Sequence, residues 1–211
     1  EIAEALKGVK IPIFVKNPIH PELGLWLGAL ERLNKVGISQ LAAIHRGFFS
    51  YEDAVFRNDP KWEMPIKLRE QLPQIPIICD PSHIAGDSEM IEEVSQTAMD
   101  LNLNGLMIEC HPNPKKAWSD AEQQIMPNKL IQIMNNLVLR KTKSDDVFFN
   151  IKLNEFRENI DVLDRQIVSV LSDRKKIVEQ IAQFKQENKI TIFQLERWFE
   201  ILRFRKKDAA D

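Results

Sequence analysis

The sequence predicts an α/β fold, half of a (β/α)8 barrel, followed by an all-α helical segment. Over residues 1–140, short apolar runs alternate with segments of helical periodicity. Polar residues follow every apolar run, and in a barrel the carboxyl ends of the strands build the active site. After residue 150 the alternation stops, and apolar residues recur at spacings of mostly three and four, as on one face of a long helix.

The first region is predicted to hold four strands, each leading to a helix. Strands buried on both faces read as continuous apolar runs, which favours a parallel sheet covered by helices. Four strands alone would leave two open sheet edges, so we expect them to form half of a barrel. The strands are predicted in VKIPIFVK, QLAAIHR, IPIICD and NGLMIEC, and the helices in PELGLWLGALERLNKVG, WEMPIKLREQLP, DSEMIEEVSQTAMDLN and SDAEQQIMPNKLIQIMNNLVLR.

A linker is predicted at residues 141–150, followed by a helical domain at residues 151–211. NKITIFQ separates the first helix from a second one in LERWFEILRFRKK. Two such helices cannot hide their apolar stripes alone, so a third helix or a partner chain is expected. The stripe on the first helix comprises Leu153, Phe156, Ile160, Leu163, Ile167, Val170, Leu171, Val178 and Ile181.

Composition narrows the kinds of partner. The chain has 211 residues, is 44% hydrophobic and 28% charged, and carries a formal net charge of -2. This balance gives no electrostatic reason to bind nucleic acid or an acidic membrane, and no apolar run approaches the roughly 20 residues that span a bilayer. Cys79 and Cys110 lie in apolar runs, which is typical of reduced, buried thiols in a cytoplasmic protein. We therefore expect small-molecule partners.

Ionisable residues at the strand ends suggest a metal site. Glu109 and His111 share one face of their strand, whereas Cys110 points away from it. Taken alone, His83 reads as a histidine in a capped loop, and Asp120 as an acid at a helix N-terminus. Together, one His, one Glu and one Asp at adjacent strand ends form a mixed nitrogen and oxygen set that suits Mn²⁺, Fe²⁺, Co²⁺ or Zn²⁺.

Two cations lie within the apolar stripe of the first C-terminal helix. Arg174 and Lys185 are 11 residues apart, or about 16 Å along a helix. They could extend past the helix edge to solvent, or pair with a carboxylate across a bundle. Alternatively they form an anion site, because two long side chains can lean together over a dicarboxylate.

FRENIDVLDRQIVSVLSDRKKIVEQIAQFKQ, followed by ITIFQLERWFEIL, resembles the all-helical class of chorismate mutases over that family's first helix and most of its second. The resemblance implies that Arg174 and Lys185 are catalytic and that the helices form a homodimer or higher oligomer, because the equivalent of Arg157 reaches the other protomer's site. Gln194 and Trp198 stand where many members carry acidic residues near the substrate hydroxyl. The residues implied to bind chorismate are Arg157, Arg174, Lys185, Gln194 and Arg197.

PIFVKNP, AIHRGFFSYE, IICDPSHIAGD and GLMIECHPNPKKAWSDAEQQ, in this order, resemble 3-deoxy-D-arabino-heptulosonate 7-phosphate (DAHP) synthases of the barrel subclass close to 3-deoxy-manno-octulosonate 8-phosphate synthase. The resemblance identifies the region as the C-terminal half of a TIM barrel. It implies that His83, Glu109 and Asp120 are three of four ligands of a divalent metal ion. The fourth, a cysteine in a Gly-Pro-Cys context, and the Lys-Pro-Arg segment that holds the sugar phosphate are not found in this sequence.

The same resemblance implies that Lys16 and Arg46 are catalytic residues that hold phosphoenolpyruvate. C3 of phosphoenolpyruvate then attacks the aldehyde of erythrose 4-phosphate, the metal polarises that aldehyde, water adds at C2 and phosphate leaves. Asp80 is expected to orient the loop or a histidine, and His111 to lie near the metal without binding it.

The predicted function is thus the first step of the shikimate pathway, fused to the conversion of chorismate to prephenate. As a hypothesis, prephenate or chorismate on the helices regulates the barrel. Two alternatives stay open: an octulosonate-forming synthase, and a helical segment that serves only as a sensor or dimerisation module. We expect the other half of the barrel, with the missing cysteine, upstream of Glu1.

Overall fold

The computed structural model describes residues 1–51 and 55–209. The last residue of the AIHRGFFSYE motif therefore lies outside the described residues. The chain divides into two compact units, Glu1–Thr142 and Lys143–Asp211.

The first unit is built on a parallel sheet of four strands in the order β1-β2-β3-β4. The strands are β1 at Ile13–Lys16, β2 at Leu41–His45, β3 at Ile77–Cys79 and β4 at Gly105–Leu106. Neighbouring strands are also consecutive in the chain, and all three pairings are parallel. This sheet, with helices between its strands, confirms the predicted α/β class.

In the part of the chain that the structure describes, six α-helices accompany the sheet, and two of them were not predicted: the short α1 at Ile2–Ala5 and the five-residue α4 at Pro81–Ala85. Pro81 starts α4 and Asp80 caps it, so the sequence DPSH that reads as a loop forms a helical turn instead. Pro127 starts α6 well after the predicted beginning of that helix. The six are α1 at Ile2–Ala5, α2 at Leu23–Lys35, α3 at Glu63–Gln71, α4 at Pro81–Ala85, α5 at Ile91–Asp100 and α6 at Pro127–Asn136, with 3-10 turns at Pro114–Lys116 and Ala121–Gln123.

The core lies between the two central strands and the helices that cover them. All five residues of β2 are buried, because a strand lies on each side of it and helices pack on its faces. Helix residues with almost no exposed surface include Trp26, Leu68 and Ile91. This apolar platform holds the strand ends in fixed positions.

The two cysteines differ in environment. Both are free thiols, as predicted, and Cys79 is fully buried in β3. The prediction that Cys110 is also buried is wrong, because β4 ends at Leu106 and Cys110 follows it in a single bridge to Ile125 at the sheet edge.

Up to residue 209, where the described residues end, the second unit contains two helices, α7 at Val147–Glu187 and α8 at Leu195–Asp208. Helix α7 starts before the periodic pattern at Ile151, since the Asp146 carboxylate accepts a hydrogen bond from the Phe149 amide at 3.1 Å. Its apolar stripe is exposed over most of its length, with Ile160, Leu163 and Ile167 each 56% exposed. None of the described helices combines the length and apolarity that crossing a membrane requires.

Candidate functional site

The carboxyl ends of the four strands bring the predicted polar residues to one edge of the sheet. Lys16 ends β1, Arg46 directly follows β2, and Asp80 directly follows β3. Because adjacent parallel strands end side by side, residues far apart in sequence become neighbours there. The Lys16 ammonium, for example, lies 3.1 Å from the Asp80 carboxylate.

Asn17 fixes the backbone between the first two strand ends. It is buried, its amide nitrogen donates to the Gly47 carbonyl at 2.8 Å, and its amide oxygen accepts from the Arg46 amide at 2.7 Å. The Nε atom of Arg46 is itself buried and makes no hydrogen bond with the described residues. An unpartnered buried guanidinium nitrogen is unusual, and an anionic ligand would satisfy it.

Asp80 is the centre of a charged cluster. It is buried, caps α4 by accepting from the His83 amide at 3.1 Å, and places its other carboxylate oxygen 2.8 Å from His83 Nδ1. Burial would raise its pKa, but the hydrogen bonds and charge of His83 and the hydrogen bond from Lys16 outweigh burial and hold the pKa of Asp80 below its usual range. Asp80 therefore stays ionised beside His83.

His83 and Glu109 face one another across neighbouring strand ends. His83 Nδ1 is 3.7 Å from a Glu109 carboxylate oxygen, and the Ser82 hydroxyl accepts from the Glu109 amide at 2.9 Å. The Nδ1 atom therefore lies close to the carboxylates of both Asp80 and Glu109. His111 is used differently, since its Nδ1 accepts from the Asn113 amide at 2.9 Å.

Asp120 is held by an arginine from another loop. It has a left-handed backbone with φ of 50°, and although it precedes a 3-10 turn its side chain does not cap that turn. Its carboxylate instead accepts from Arg57 Nη1 at 2.7 Å. The hydrogen bond from Arg57, chiefly, lowers the pKa of Asp120. Arg57 Nη1 also donates to Gln123 Oε1 at 2.6 Å, and Gln123 Nε2 donates to Glu109 Oε2 at 3.0 Å.

The three predicted metal ligands are thus connected, but they do not converge on one point. Imidazole and carboxylate groups suit a divalent ion in kind, and His83 and Glu109 face each other. Asp120 is drawn toward Arg57, and within residues 1–51 and 55–209 no group of three or more His, Cys, Asp or Glu side chains is arranged to hold a metal ion. The donor set suits a metal, but these side chains do not form a metal centre in this structure.

The second unit has a groove of its own between α7 and α8, with a volume of about 960 Å³. Three of its cations, Arg174, Lys185 and Arg197, were predicted as substrate-binding residues, and Gln194 and Trp198 also line it. Lys185 Nζ donates to the Ile192 carbonyl at 3.0 Å, and Arg197 pairs with Glu200 at 2.9 Å.

Arg157 does not line that groove. It lies nearer the start of α7, where its guanidinium donates to Asn154 at 3.4 Å. The structure therefore brings together four of the five residues predicted to bind chorismate within one chain.

Sequence reasoning gave no site role to three residues that shape the first site: Asn17, Arg57 and Gln123. The position of Asn17 indicates a site residue, because Asn17 follows a predicted strand directly beside Lys16. The positions of Arg57 and Gln123 give no such indication, since their contacts depend on how two loops fold over the sheet edge.

Comparison with known proteins identifies the first region. Residues 1–144 match the model of the DAHP synthetase I family, which is more than half of the chain. The chain belongs to this family. Residues 156–211 match the model of chorismate mutase type II, so a DAHP synthetase I segment is fused to a chorismate mutase type II segment.

Among relatives of this DAHP synthetase I chain is the phospho-2-dehydro-3-deoxyheptonate aldolase of Thermotoga maritima. It is 27% identical over 129 residues, covering 60% of this chain and 38% of the relative. The chain thus spans about two fifths of the length of the curated relative that it matches.

Two solved structures support the fold. One is a truncated form of 3-deoxy-D-arabino-heptulosonate 7-phosphate synthase from Thermotoga maritima, with a TM-score of 0.54 and 23% identity over 59% of this chain and 47% of that one. The other is the crystal structure of the phospho-2-dehydro-3-deoxyheptonate aldolase of the same organism, with a TM-score of 0.58 and 24% identity over 64% of this chain and 39% of that one. At this identity the likeness concerns the fold alone, and it agrees with a partial barrel.

Proposed function

We propose that the first unit belongs to an enzyme that condenses phosphoenolpyruvate with erythrose 4-phosphate to give DAHP, the first step of the shikimate pathway. Membership of the DAHP synthetase I family and the aldolase relative support this assignment. The four motifs that carry the resemblance all lie in this unit.

The observation that carries the proposal is the pair of cations at adjacent strand ends. Arg46 offers a buried Nε with no hydrogen bond to the described residues, and the Lys16 ammonium lies at the end of the neighbouring strand. The phosphate and carboxylate of phosphoenolpyruvate supply the anionic oxygens that two such cations bind. Asn17, the residue after Lys16, accepts a hydrogen bond from the Arg46 amide and so holds the two cationic residues next to each other.

In the proposed reaction, C3 of phosphoenolpyruvate attacks the erythrose 4-phosphate aldehyde, water adds at C2 and phosphate leaves. A divalent ion (Mn²⁺, Fe²⁺, Co²⁺ or Zn²⁺), with His83, Glu109 and Asp120 among its ligands, would supply the Lewis acid. The chain's own part is to bind the anion through Lys16 and Arg46. Asp80, 2.8 Å from His83 Nδ1, favours a proton on that nitrogen, and the lone pair of Nε2 would then be available to bind the ion.

Phosphate release tests the proposal in the full-length enzyme. With phosphoenolpyruvate and Mn²⁺, we expect release with erythrose 4-phosphate and little with arabinose 5-phosphate. Arg46→Met should lower kcat/KM for phosphoenolpyruvate by about 10-fold to 150-fold, since it removes a charged hydrogen-bond donor. A preference for arabinose 5-phosphate would point instead to an octulosonate-forming synthase.

For the second unit we propose the conversion of chorismate to prephenate in the groove between α7 and α8. This rearrangement is unimolecular, so a protein need only select a compact conformer and stabilise charge on the breaking ether bond. Arg174, Lys185 and Arg197 line one groove and can bind carboxylates and the ether oxygen. Arg157 would come from a second copy of the chain, which would make the enzyme a homodimer or higher oligomer.

A second candidate for this unit is a sensor that binds chorismate or prephenate and regulates the synthase. Gln194 and Trp198 favour it, because they give the groove an amide and an indole where many mutases have carboxylates. Chorismate binding by calorimetry and chorismate turnover by absorbance separate the two candidates. Binding without turnover supports the sensor, and a synthase rate that prephenate leaves unchanged excludes regulation by prephenate.

A further inference from the structure

Arg57 and Asn58 are hydrogen-bonded to the helical turn that carries His83. The Arg57 amide donates to the Ala85 carbonyl at 3.2 Å, and the Asn58 amide donates to the Ile84 carbonyl at 3.1 Å. The Asn58 side chain donates to the His83 carbonyl at 2.6 Å. The backbone of Arg57 is therefore fixed with respect to α4, although the guanidinium is partly exposed.

A glycine makes this close approach possible. Gly86 ends α4 with φ of 71°, and a Cβ added there would lie 2.4 Å from the Arg57 Cβ. No other residue type fits both the backbone conformation and the available space.

From this position Arg57 determines how the buried amide of Gln123 is oriented. Gln123 is 1% exposed, with its oxygen 2.6 Å from Arg57 Nη1 and its nitrogen 3.0 Å from Glu109 Oε2. A guanidinium can only donate and an ionised carboxylate can only accept, so only one orientation of the amide satisfies both neighbours. If Arg57 were removed, the buried amide oxygen would lose its partner, and the hydrogen bond to Glu109 alone would hold the amide.

Arg57 also holds Asp120, whose carboxylate lacks the capping contact that its position would allow. The Arg57 and Asp120 side chains are 51% and 32% exposed, and such ion pairs contribute little to stability by themselves. The hydrogen bond to the buried Gln123 is the larger effect, because a buried acceptor that loses its only donor is strongly destabilising.

We propose that Arg57 is a positioning residue that fixes the Asp120 carboxylate directly and the Glu109 carboxylate through Gln123. These two acidic side chains lie on the loop after β4, and Arg57 lies on the loop after β2, so the relay joins two strand ends. Its consequence for catalysis rests on the proposed synthase function, whereas the relay itself does not.

The first test measures Co²⁺ binding to full-length protein by visible absorption. We expect Arg57→Met to weaken Co²⁺ binding by about 10-fold to 100-fold and to shift the absorption bands, because ligand orientation is lost. Arg57→Lys should restore part of the affinity. Arg140→Met is the matched control, because Arg140 forms an ion pair with Asp100 outside the site, and it should leave the affinity and the spectrum unchanged.

The second test needs no metal. In the presence of chelator, Arg57→Met and Gln123→Leu are combined in a double-mutant cycle of the unfolding equilibrium constant. We expect the effects to be non-additive by at least about 3-fold, as for residues in direct contact. Additive effects would overturn the relay, as would unchanged Co²⁺ binding in Arg57→Met.

The two tests also separate this proposal from the proposed function. A wild-type protein that binds no Co²⁺ contradicts the metal site while the double-mutant cycle still decides the relay. A Co²⁺ affinity that falls equally in Arg57→Met and Arg140→Met would overturn the relay even though the metal site stands.

Discussion

At the scale of single residues, His45 shows how burial sets chemistry. It is fully buried at the end of β2, among the rings of Trp26, Phe48 and Trp62. Desolvation lowers its pKa from 6.5 to about 4, and the nearby Pro60 carbonyl and Asp80 charge oppose this only in part. His45 therefore packs as a neutral aromatic ring.

A pH dependence of stability follows. The unfolded chain takes up a proton on His45 below pH 6.5, and the folded chain does so only below about pH 4. The contribution of neutral His45 to the free energy of unfolding is therefore complete above pH 6.5 and is lost as the pH falls to 4. The loss is about 3 kcal/mol across that window. Urea unfolding at pH 7 and pH 4.5 should show that the free energy of unfolding falls less between these two pH values in His45→Phe than in wild type. His20→Phe, at an exposed histidine, should keep the wild-type loss, and a wild-type loss in His45→Phe would contradict the assignment.

Gly86 gives a second prediction for a single residue. Gly86→Ala should cost more unfolding free energy than Gly37→Ala, although both positions have positive φ, at 71° and 91°. A Cβ at Gly37 meets no atom within 4 Å, so Gly37→Ala measures the backbone strain alone, about 1–2 kcal/mol. Urea unfolding of both variants gives the difference, and equal losses would show that the space between α4 and Arg57 is not tight.

At the scale of elements, the sequence predicted those helices and strands whose formation depends on a local pattern of residues. The four strands were found because each is a continuous apolar run, and the long helix because its stripe has helical spacing. The turn α4 was missed although Pro81 after Asp80 is a recognisable start signal. The position of Asp120 could not be predicted, because it depends on Arg57 from a loop 63 residues earlier.

The start of α7 offers a test of one such local signal. Asp146→Ala removes the only side-chain cap at that end and should cost about 1 kcal/mol of local helix stability. Hydrogen exchange should therefore become about 5-fold faster in the first turn, Val147–Asn150. Asp145→Ala changes the exposed neighbour and should leave that exchange unchanged; faster exchange in both variants would indicate a charge effect rather than a cap.

At the scale of the whole molecule, the exposed stripe of α7 is the feature that bears on assembly. Ile160, Leu163 and Ile167 lie on one face, which is the kind of surface that a second copy of the chain would cover. Leu163→Glu should weaken self-association at least about 10-fold in sedimentation equilibrium. Ser169→Glu, roughly 180° around the helix from Ile160, is the control and should associate normally. Equal association of both variants would exclude this face as the dimer contact.

In the first unit, two cations, three carboxylates and one imidazole follow the four strand ends at one edge of the sheet, and hydrogen bonds of Lys16, Asn17 and Ser82 join these ends. The most direct test is anomalous diffraction from crystals of full-length enzyme soaked with Mn²⁺ and phosphoenolpyruvate. We predict a manganese peak bounded by His83, Glu109 and Asp120, with the phosphoenolpyruvate oxygens on Lys16 and Arg46. A manganese peak away from these three side chains, or phosphoenolpyruvate bound elsewhere, would contradict the account.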